Sequence, residues 1–224
     1  YNMAKQIDSY QLGKPGKVYK GWTYDKALEY VHKALAIDSL SVYVQLEGDI
    51  QFAKQDYPAA LVSYEKVNRT NLASPATFFS AAKTMELMNA DPKAVLAVMD
   101  SCVAHCPQPI SADNAPYVLE RAQMNMNAGE YRSAMLDYDT YFKAVDGQVN
   151  DVFYYYREQA EFKARQYQRA LDDIAKAIEL NPKELTYRAE QAVINLRVGR
   201  YEEALKVLDE VLAIDPKYAE AYRL

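Results

Sequence analysis

A Tyr-x-x-Ala pattern recurs along this chain at nearly constant intervals, and this repetition constrains the fold more than any other feature of the sequence. The pattern occurs at Tyr24/Ala27, Tyr57/Ala60, Tyr131/Ala134, Tyr167/Ala170 and Tyr201/Ala204, and it continues without the tyrosine at Asp91/Ala94. Successive alanines are 33, 34, 40, 36 and 34 residues apart. Periods of roughly 20 to 50 residues are typical of solenoids, in which stacked units bury a continuous core. The chain is therefore predicted to be a linear array of similar units.

Each unit is predicted to be a helical hairpin. Around every alanine the apolar residues follow the helical period in two runs of about 13 or 14 residues, separated by a short break. In the last complete unit, Gly199 is expected to end the first helix in a left-handed turn, and the second helix is predicted over about 201–214. Asp215 and Pro216 then end that helix, because proline has no N–H to continue the hydrogen-bond ladder.

These residues resemble the tetratricopeptide repeat, a helix-turn-helix unit of about 34 residues. The family pattern has a small residue at position 8, Gly near 15, Tyr near 17, Ala at 20, an aromatic residue or Leu at 24, Ala at 27 and Pro at 32. Residues 185–218 match it at Ala192, Gly199, Tyr201, Ala204, Leu208, Val211 and Pro216. Other matches are Gly48, Tyr57, Ala60, Tyr64 and Val67; Ala122, Gly129, Tyr131, Ala134 and Tyr138; and Tyr167, Ala170, Ile174, Ala177 and Pro182. Glu158 replaces the small residue at position 8 of its repeat.

The resemblance implies an all-α fold, a right-handed superhelical α-solenoid of stacked antiparallel helix hairpins, with the whole chain forming one array. Its predicted units are an irregular repeat at 1–40, repeats at 41–74, 115–150, 151–184 and 185–218, a degenerate copy at 75–114, and the start of a further repeat at 219–224. The degenerate copy is aligned with Ala82, Ala94, Val98 and Ser101 at positions 8, 20, 24 and 27. In the irregular repeat the first helix is placed at 1–12 and a loop at 13–23. The natural chain is expected to continue beyond residue 224.

Little in the sequence points to catalysis or to a metal. Cys102, His105 and Cys106 supply three of the four ligands that structural zinc needs, so small buried cysteines are expected there instead. Adjacent Asp172 and Asp173 point about 100° apart on a helix, which favours a solvated face over a shared proton. We therefore predict that the protein is not an enzyme and that it has no catalytic residues, no metal and no cofactor.

Charge and hydropathy exclude two further classes of partner. The chain has 26 basic and 31 acidic side chains and a formal net charge of −5, whereas general nucleic-acid binders are basic. Its sequence contains no run of 18 apolar residues, so no membrane span is expected. Many bacterial arrays that the chain resembles are exported, and this resemblance favours an exported or periplasmic location over the cytoplasm.

The resemblance also implies a concave groove lined by the first helix of each hairpin, with positions 5, 9 and 12 facing it. The partner-binding residues predicted in this way are Gln45, Asp49, Phe52, Phe79, Lys83, Leu119, Gln123, Met126, Tyr155, Gln159 and Phe162. Their aromatic rings and methionine are suited to desolvating an apolar anchor, and their glutamines to pairing with a peptide backbone. For Phe52 and Phe162, packing inside their own repeats is the alternative. Related repeats that clamp a C-terminal carboxylate carry Lys and Asn where this chain has Gln45 and Asp49, so that clamp is absent.

The leading hypothesis is a scaffold that binds a peptide or partner protein in the groove without catalysis. A second is a glycan-binding or surface-assembly protein whose exposed tyrosines stack on sugar rings, and a third is the helical arm of a larger regulator or enzyme. Tyrosines clustered on one exposed surface favour the second hypothesis, whereas Tyr57, Tyr131, Tyr167 and Tyr201 are expected to fill the wedges of their hairpins. At least one ring in the run 154–156 must be exposed, because the three cannot all face the core.

Overall fold

The computed structural model describes residues 23–38 and 40–223, and in them the chain is helical throughout. The helices are α1 Tyr24–Ile37, α2 Ser41–Ala53, α3 Tyr57–Asn68, α4 Pro75–Leu87, α5 Pro92–Ala104, α6 Ala115–Ala128, α7 Tyr131–Ala144, α8 Asp151–Lys163, α9 Tyr167–Leu180, α10 Leu185–Arg197 and α11 Tyr201–Ile214. A 3₁₀-helix, Ala219–Tyr222, follows where the sequence predicts the start of another first helix. The helix predicted at 1–12 lies outside the described residues.

Consecutive helices pair as hairpins, α2 with α3, α4 with α5, α6 with α7, α8 with α9 and α10 with α11. In residues 23–108, α1 packs on α2 and α3 packs on α4; in residues 109–223, α7 packs on α8 and α9 packs on α10. The chain divides between Gln108 and Pro109 into two compact units, the first containing α1–α5 and the second α6–α11. This all-helical architecture confirms the predicted fold class.

The turn inside every described hairpin passes through one residue with positive φ. These residues are Gln55, Asn89, Gly129, Arg165 and Gly199, with φ of 64°, 54°, 78°, 62° and 79°. The left-handed turn predicted at Gly199 is confirmed. In three of the five hairpins a residue with a Cβ adopts this conformation, which costs roughly 1 to 2 kcal/mol relative to the right-handed region.

The repeated alanine is the fourth residue of its helix and is fully buried. Its members Ala27, Ala60, Ala134, Ala170 and Ala204 are each 0 % exposed. At these five positions a larger side chain would have to displace its neighbours, because protein interiors are packed at crystal density. Five of the six members of the alanine series are therefore core residues.

The sixth member of the series, Ala94, was assigned to the wrong position by one residue. Helix α5 begins at Pro92, so its fourth residue is Val95, which is 3 % exposed, whereas Ala94 is exposed. Asp91 is the N-cap, and its carboxylate accepts a hydrogen bond from the Ala94 N–H at 3.3 Å. The capping aspartate and the proline at the first helical position set this register, because each fits only the helix start.

The same one-residue shift applies along the rest of α5. Met99 and Cys102 are 0 % exposed and take the places predicted for Val98 and Ser101. Cys106 is also buried, as the sequence predicts for both cysteines, and the Cys102 Sγ donates to the Pro75 carbonyl oxygen at 3.1 Å.

Enlarging a buried member of the alanine series is expected to destabilise the fold. Ala170→Leu and Ala204→Leu should each lower the free energy of unfolding by roughly 1 to 3 kcal/mol, because the added atoms force the helices apart. Ala94→Leu is the matched control and should change stability by less than about 0.5 kcal/mol, since that position is exposed. Urea unfolding followed by circular dichroism measures all three. Equal effects at 94 and 170 contradict the register described here.

The tyrosines fill hairpin wedges in part. Tyr57 packs edge-on against Phe52 and Tyr167 against Phe162, in both cases with ring centroids 5.6 Å apart and planes at 63°. The prediction is wrong for Tyr201, which is 65 % exposed; its hairpin has Leu196 where the other two have phenylalanine, so no aromatic edge faces the ring. In the run 154–156, the exposed ring is Tyr156, which confirms that expectation.

Candidate functional site

Five of the predicted groove residues lie in the first unit and are half-buried: Gln45, Asp49, Phe52, Phe79 and Lys83. Asp49 accepts a hydrogen bond from the Tyr64 hydroxyl at 2.9 Å, inside its own hairpin. Phe52 packs against the buried core of α3 and α4. The Lys83 ammonium lies 2.6 Å from a carboxylate oxygen of Glu86, one turn along the same helix. Most of these side chains therefore also stabilise the unit that presents them.

The other six lie in the second unit, Leu119, Gln123 and Met126 on α6 and Tyr155, Gln159 and Phe162 on α8. Leu119 and Met126 are half-buried and pack against the same hydrophobic cluster, formed by α6, α7 and α8. Gln123 is exposed, and its amide nitrogen lies 3.5 Å from the Asn127 side-chain oxygen. Of the three groove residues predicted on α6, only the polar Gln123 is therefore exposed, whereas the apolar Leu119 and Met126 are half-buried.

On α8 the three predicted residues are half-buried. The Tyr155 ring lies 5.1 Å from the ring of Tyr187 on α10, so two consecutive first helices each contribute one ring to an aromatic pair. We call this pair, Tyr155 and Tyr187, the aromatic step. Tyr155 and Phe162 both pack against the core cluster of α9 and α10. The structure gives Phe52 and Phe162 the intra-repeat packing that the sequence offered as the alternative.

Positions 7, 11 and 23 of the repeat meet inside three hairpins and form what we call the polar triad. The triads are Glu47, Gln51 and Ser63; Arg121, Asn125 and Asp137; and Arg157, Glu161 and Asp173. In the first, the Ser63 hydroxyl donates to the Gln51 amide oxygen at 2.8 Å. In the second, the Asp137 carboxylate accepts two hydrogen bonds from Arg121, at 2.6 and 3.0 Å, and one from Asn125 at 3.0 Å. Each triad joins the two helices of its hairpin.

The degenerate repeat has apolar residues at the corresponding positions. Ala81, Met85 and Val98 stand there and line a cavity of about 400 Å³ between α3, α4 and α5. Its rim includes Asn68, whose side-chain oxygen is buried with no hydrogen-bond partner within the described residues. Ala81 is much shorter than the Glu or Arg at position 7 of the three polar triads, and this difference contributes to the open space.

Arg157 is the centre of a larger charged network in the second unit. Its guanidinium donates to both carboxylate oxygens of Asp173, at 2.6 and 2.8 Å, and to Asp139 of α7 at 3.0 Å. Arg169 of α9 also donates to Asp139, at 2.7 Å. The Arg157 guanidinium carbon lies 3.9 Å from the centroid of the Phe142 ring. Asp173 is 6 % exposed, so the solvated face predicted for it is wrong: a cation sixteen residues earlier in the chain takes the place of water.

Two glutamates of α8 are buried beside this network, each 1 % exposed. One carboxylate oxygen of Glu158 has no hydrogen-bond partner among the residues that the structure describes. Burial, with the neighbouring charges of Glu190, Glu161 and Asp173, raises the pKa of Glu158 to about 8. Burial and Asp173 also raise the pKa of Glu161, against the opposing effect of Arg169 and Arg157. The Arg169 Nε lies 2.8 Å from Glu161 Oε1, a charge contact without the alignment of a hydrogen bond.

Position 8 carries a glutamate in a hairpin whose position 24 is aliphatic rather than aromatic. In the hairpin of α2 and α3 these positions are Gly48 and Tyr64, and a Cβ on Gly48 would lie 2.8 Å from the tyrosine ring. In the hairpin of α8 and α9 they are Glu158 and Ile174. Both side chains are buried in that hairpin.

Sequence analysis did not single out the cations Lys163, Arg165 and Arg197. A signal was present for Arg165, which stands at position 15, where the family pattern has glycine.

None of the described helices is both long and apolar enough to cross a membrane. Within the described ranges, no three His, Cys, Asp or Glu side chains are grouped so that they hold a metal ion.

Known proteins that resemble this chain in sequence include a family model and several tetratricopeptide repeat proteins. A family model described as anaphase-promoting complex, cyclosome, subunit 3 matches residues 112–211. The TPR repeat-containing protein MJ1428 of Methanocaldococcus jannaschii is 24 % identical over 202 residues, which are 85 % of this chain and 34 % of that protein. Tetratricopeptide repeat protein 28 of Mus musculus is 35 % identical over 117 residues, or 51 % of this chain and 5 % of its own length. The chain thus spans about a third or less of these relatives.

Among solved structures, the chain is similar to YrrB, described as a TPR protein with an unusual peptide-binding site. The TM-score is 0.69 at 13 % identity, and the match covers 88 % of this chain and 97 % of that one. At this identity the likeness concerns the fold. The hairpins, the buried alanine series, the family model and the named relatives agree, and together they identify the repeats of this chain as tetratricopeptide repeats.

Proposed function

We propose that this protein is an interaction scaffold that binds a peptide or partner protein on the first helices of its hairpins, without catalysis of its own. The observation that carries the proposal is the aromatic step of Tyr155 and Tyr187, with ring centroids 5.1 Å apart on consecutive first helices. A half-buried ring held by its neighbour loses little conformational entropy on binding, and such rings dominate interface energies. Exposed Gln123 on α6 and half-buried Gln159 on α8 add amides for a peptide backbone.

Two further observations support this proposal. The similar structure YrrB is described as having a peptide-binding site. In the described part of the chain only Tyr156, Tyr201 and Tyr222 are exposed tyrosines, and they lie on three different elements, α8, α11 and the 3₁₀-helix. This distribution favours protein binding over a surface of tyrosines that stack on sugars.

The test compares two tyrosines. A partner is captured from the source cell with the full chain, purified, and titrated by calorimetry. Tyr155→Ala is expected to weaken its affinity about 30-fold, equivalent to about 2 kcal/mol. Tyr201→Ala, which removes an exposed ring from a second helix, should leave the affinity unchanged. If Tyr201→Ala abolishes binding and Tyr155→Ala, folded by circular dichroism, does not, the proposal is wrong.

A further inference from the structure

A pocket at the turn between α8 and α9 brings two aromatic rings together with three cations. The rings are Phe162 and Tyr167, and the cations are Lys163 and Arg165 of the turn and Arg197 at the end of α10. Together these five residues line a space of about 410 Å³. No acidic side chain is among the residues that line it.

The three cations have no acidic partner in the part of the chain that the structure describes. Lys163, Arg165 and Arg197 are exposed, and no carboxylate oxygen lies within ion-pair distance of any of them. The Arg197 guanidinium lies 5.9 Å from the centroid of the Phe162 ring, which holds it over the pocket by a cation–π contact. Elsewhere in the same unit the arginines Arg121, Arg157 and Arg169 pair with carboxylates. A local excess of positive charge therefore stands in a chain whose net charge is −5.

Arg165 occupies a backbone conformation that favours glycine. Its φ is 62°, and the corresponding turn residues of the flanking hairpins are Gly129 and Gly199. An arginine at this position strains the backbone and contributes no ion pair inside the protein in return. Strain of this kind is characteristic of sites that present a side chain to a ligand.

The hairpin of α2 and α3 shows that the turn does not need these cations. Phe52 and Tyr57 adopt the same geometry as Phe162 and Tyr167, with centroids 5.6 Å apart and planes at 63°. Its positive-φ residue is the uncharged Gln55, and the lysine beside it, Lys54, pairs with Asp25 of α1. The aromatic pair is thus a repeated structural element, and the unpaired cations are particular to the second unit.

We infer that this pocket binds an acidic peptide segment, with carboxylates against Arg165 and Arg197 and an apolar side chain against the Phe162 and Tyr167 rings. The inference rests on the proposed scaffold function. It adds that one partner carries an acidic segment and that this segment binds at the turn between α8 and α9. Guanidinium groups form charge-assisted hydrogen bonds to carboxylates, and the rings add apolar contact at the same pocket. Nucleic-acid binding draws on many phosphate contacts along a basic surface, whereas this cluster contains three cations within an acidic chain.

The probe is a fluorescein-labelled ten-residue peptide of Glu and Asp with one central Phe, titrated with the full chain by fluorescence anisotropy. Its comparator carries Gln and Asn in place of Glu and Asp. The acidic probe should bind at least tenfold more tightly than the comparator, and the preference should weaken as salt is raised from about 50 to 300 mM. The double variant Arg165→Gln/Arg197→Gln should reduce affinity for the acidic probe at least tenfold.

A control variant of equal charge separates this pocket from general electrostatic attraction. Arg132→Gln/Lys206→Gln removes two exposed cations from α7 and α11 of the same unit, and its effect should be less than twofold. If both double variants weaken binding equally, or if Arg165→Gln/Arg197→Gln has no effect, the proposal is overturned. It is also overturned if a single-stranded oligonucleotide of the same charge displaces the probe at equal or lower concentration.

Arg165→Gly provides a second readout that does not depend on damage to the fold. It should raise Tm by about 2 to 4 °C because it relieves the positive-φ strain, and at the same time weaken probe binding at least threefold. Gln55→Gly should raise Tm without changing probe affinity. If a groove partner is lost in Tyr155→Ala but the acidic probe does not bind, this inference alone is wrong. If the acidic probe binds as expected but no partner depends on Tyr155, the groove proposal alone is wrong.

Discussion

Replacing Arg157 by methionine is expected to lower the free energy of unfolding by about 3 to 5 kcal/mol. The variant keeps an unbranched apolar stem but removes the guanidinium that Asp173 and Asp139 face at 2.6 to 3.0 Å. Asp173 is 6 % exposed, so water does not replace the missing cation. Removing one partner of a buried pair is costly for this reason, since it leaves a desolvated charge without compensation.

The matched control is Arg69→Met on α3. Arg69 pairs with Glu65 one turn away at 2.9 Å, but its side chain is 78 % exposed. Exposed pairs of this kind contribute about 0.3 to 0.5 kcal/mol. Urea unfolding of both variants at neutral pH compares the two. A loss below about 1 kcal/mol for Arg157→Met would show that the network is not a major source of stability.

Glu158→Gln is expected to change how stability depends on pH. The folded-state pKa of Glu158 is raised to about 8 from 4.5, first by burial and then by Glu190, Glu161 and Asp173. The folded state therefore binds this proton more tightly than the unfolded state. The resulting stability is fully present below pH 4.5, declines as pH rises, and is lost above about pH 8.

The amide cannot ionise, so Glu158→Gln should exceed the parent in stability by about 2 to 4 kcal/mol at pH 9. At pH 5 the two should differ by less than about 1 kcal/mol. Unfolding curves at pH 5, 7 and 9 measure this, with Glu203→Gln on the exposed face of α11 as the control that should follow the parent. A constant difference between parent and Glu158→Gln at all three values would contradict the burial of an ionisable carboxyl here.

The helices were predictable from the sequence because each start and stop carries a local signal. Tyr201–Ile214 was predicted from apolar periodicity between Gly199 and Asp215, and the structure has the same bounds. The register of α5 was not predicted correctly. Alignment on the repeated alanine placed Ala94 where the structure has Val95, although Asp91 and Pro92 mark the helix start. A capping residue is a better indicator of register than one small side chain, since it is tied to the backbone geometry of the helix end.

The charged network could not be predicted in the same way. Asp173 looks solvated within α9, and only the folding of α8 against α9 brings Arg157 to it, sixteen residues away in sequence. The replacement of a small residue by Glu158 was visible in the sequence, but its burial follows from the packing of α8 in the folded unit. Which side chains pair between two helices depends on how the hairpin folds, and the apolar periodicity of a single helix does not predict it. The cations around Phe162 required the same knowledge, because Arg197 belongs to the next repeat.

Asp139 gives the hairpins of the second unit a means of recognising their own neighbours while the chain folds. Repeats that share the same alanine and tyrosine signature are able to stack in the wrong order, and misassembly between similar units is a known failure of repeat arrays. Asp139 of α7 receives hydrogen bonds from Arg157 of α8 and Arg169 of α9. The hairpin of α10 and α11 has Gln191 where α8 has Arg157, so α7 stacked on that hairpin would bury Asp139 without this cation. The charges at this interface therefore favour the native neighbour of α7 over the hairpin of α10 and α11.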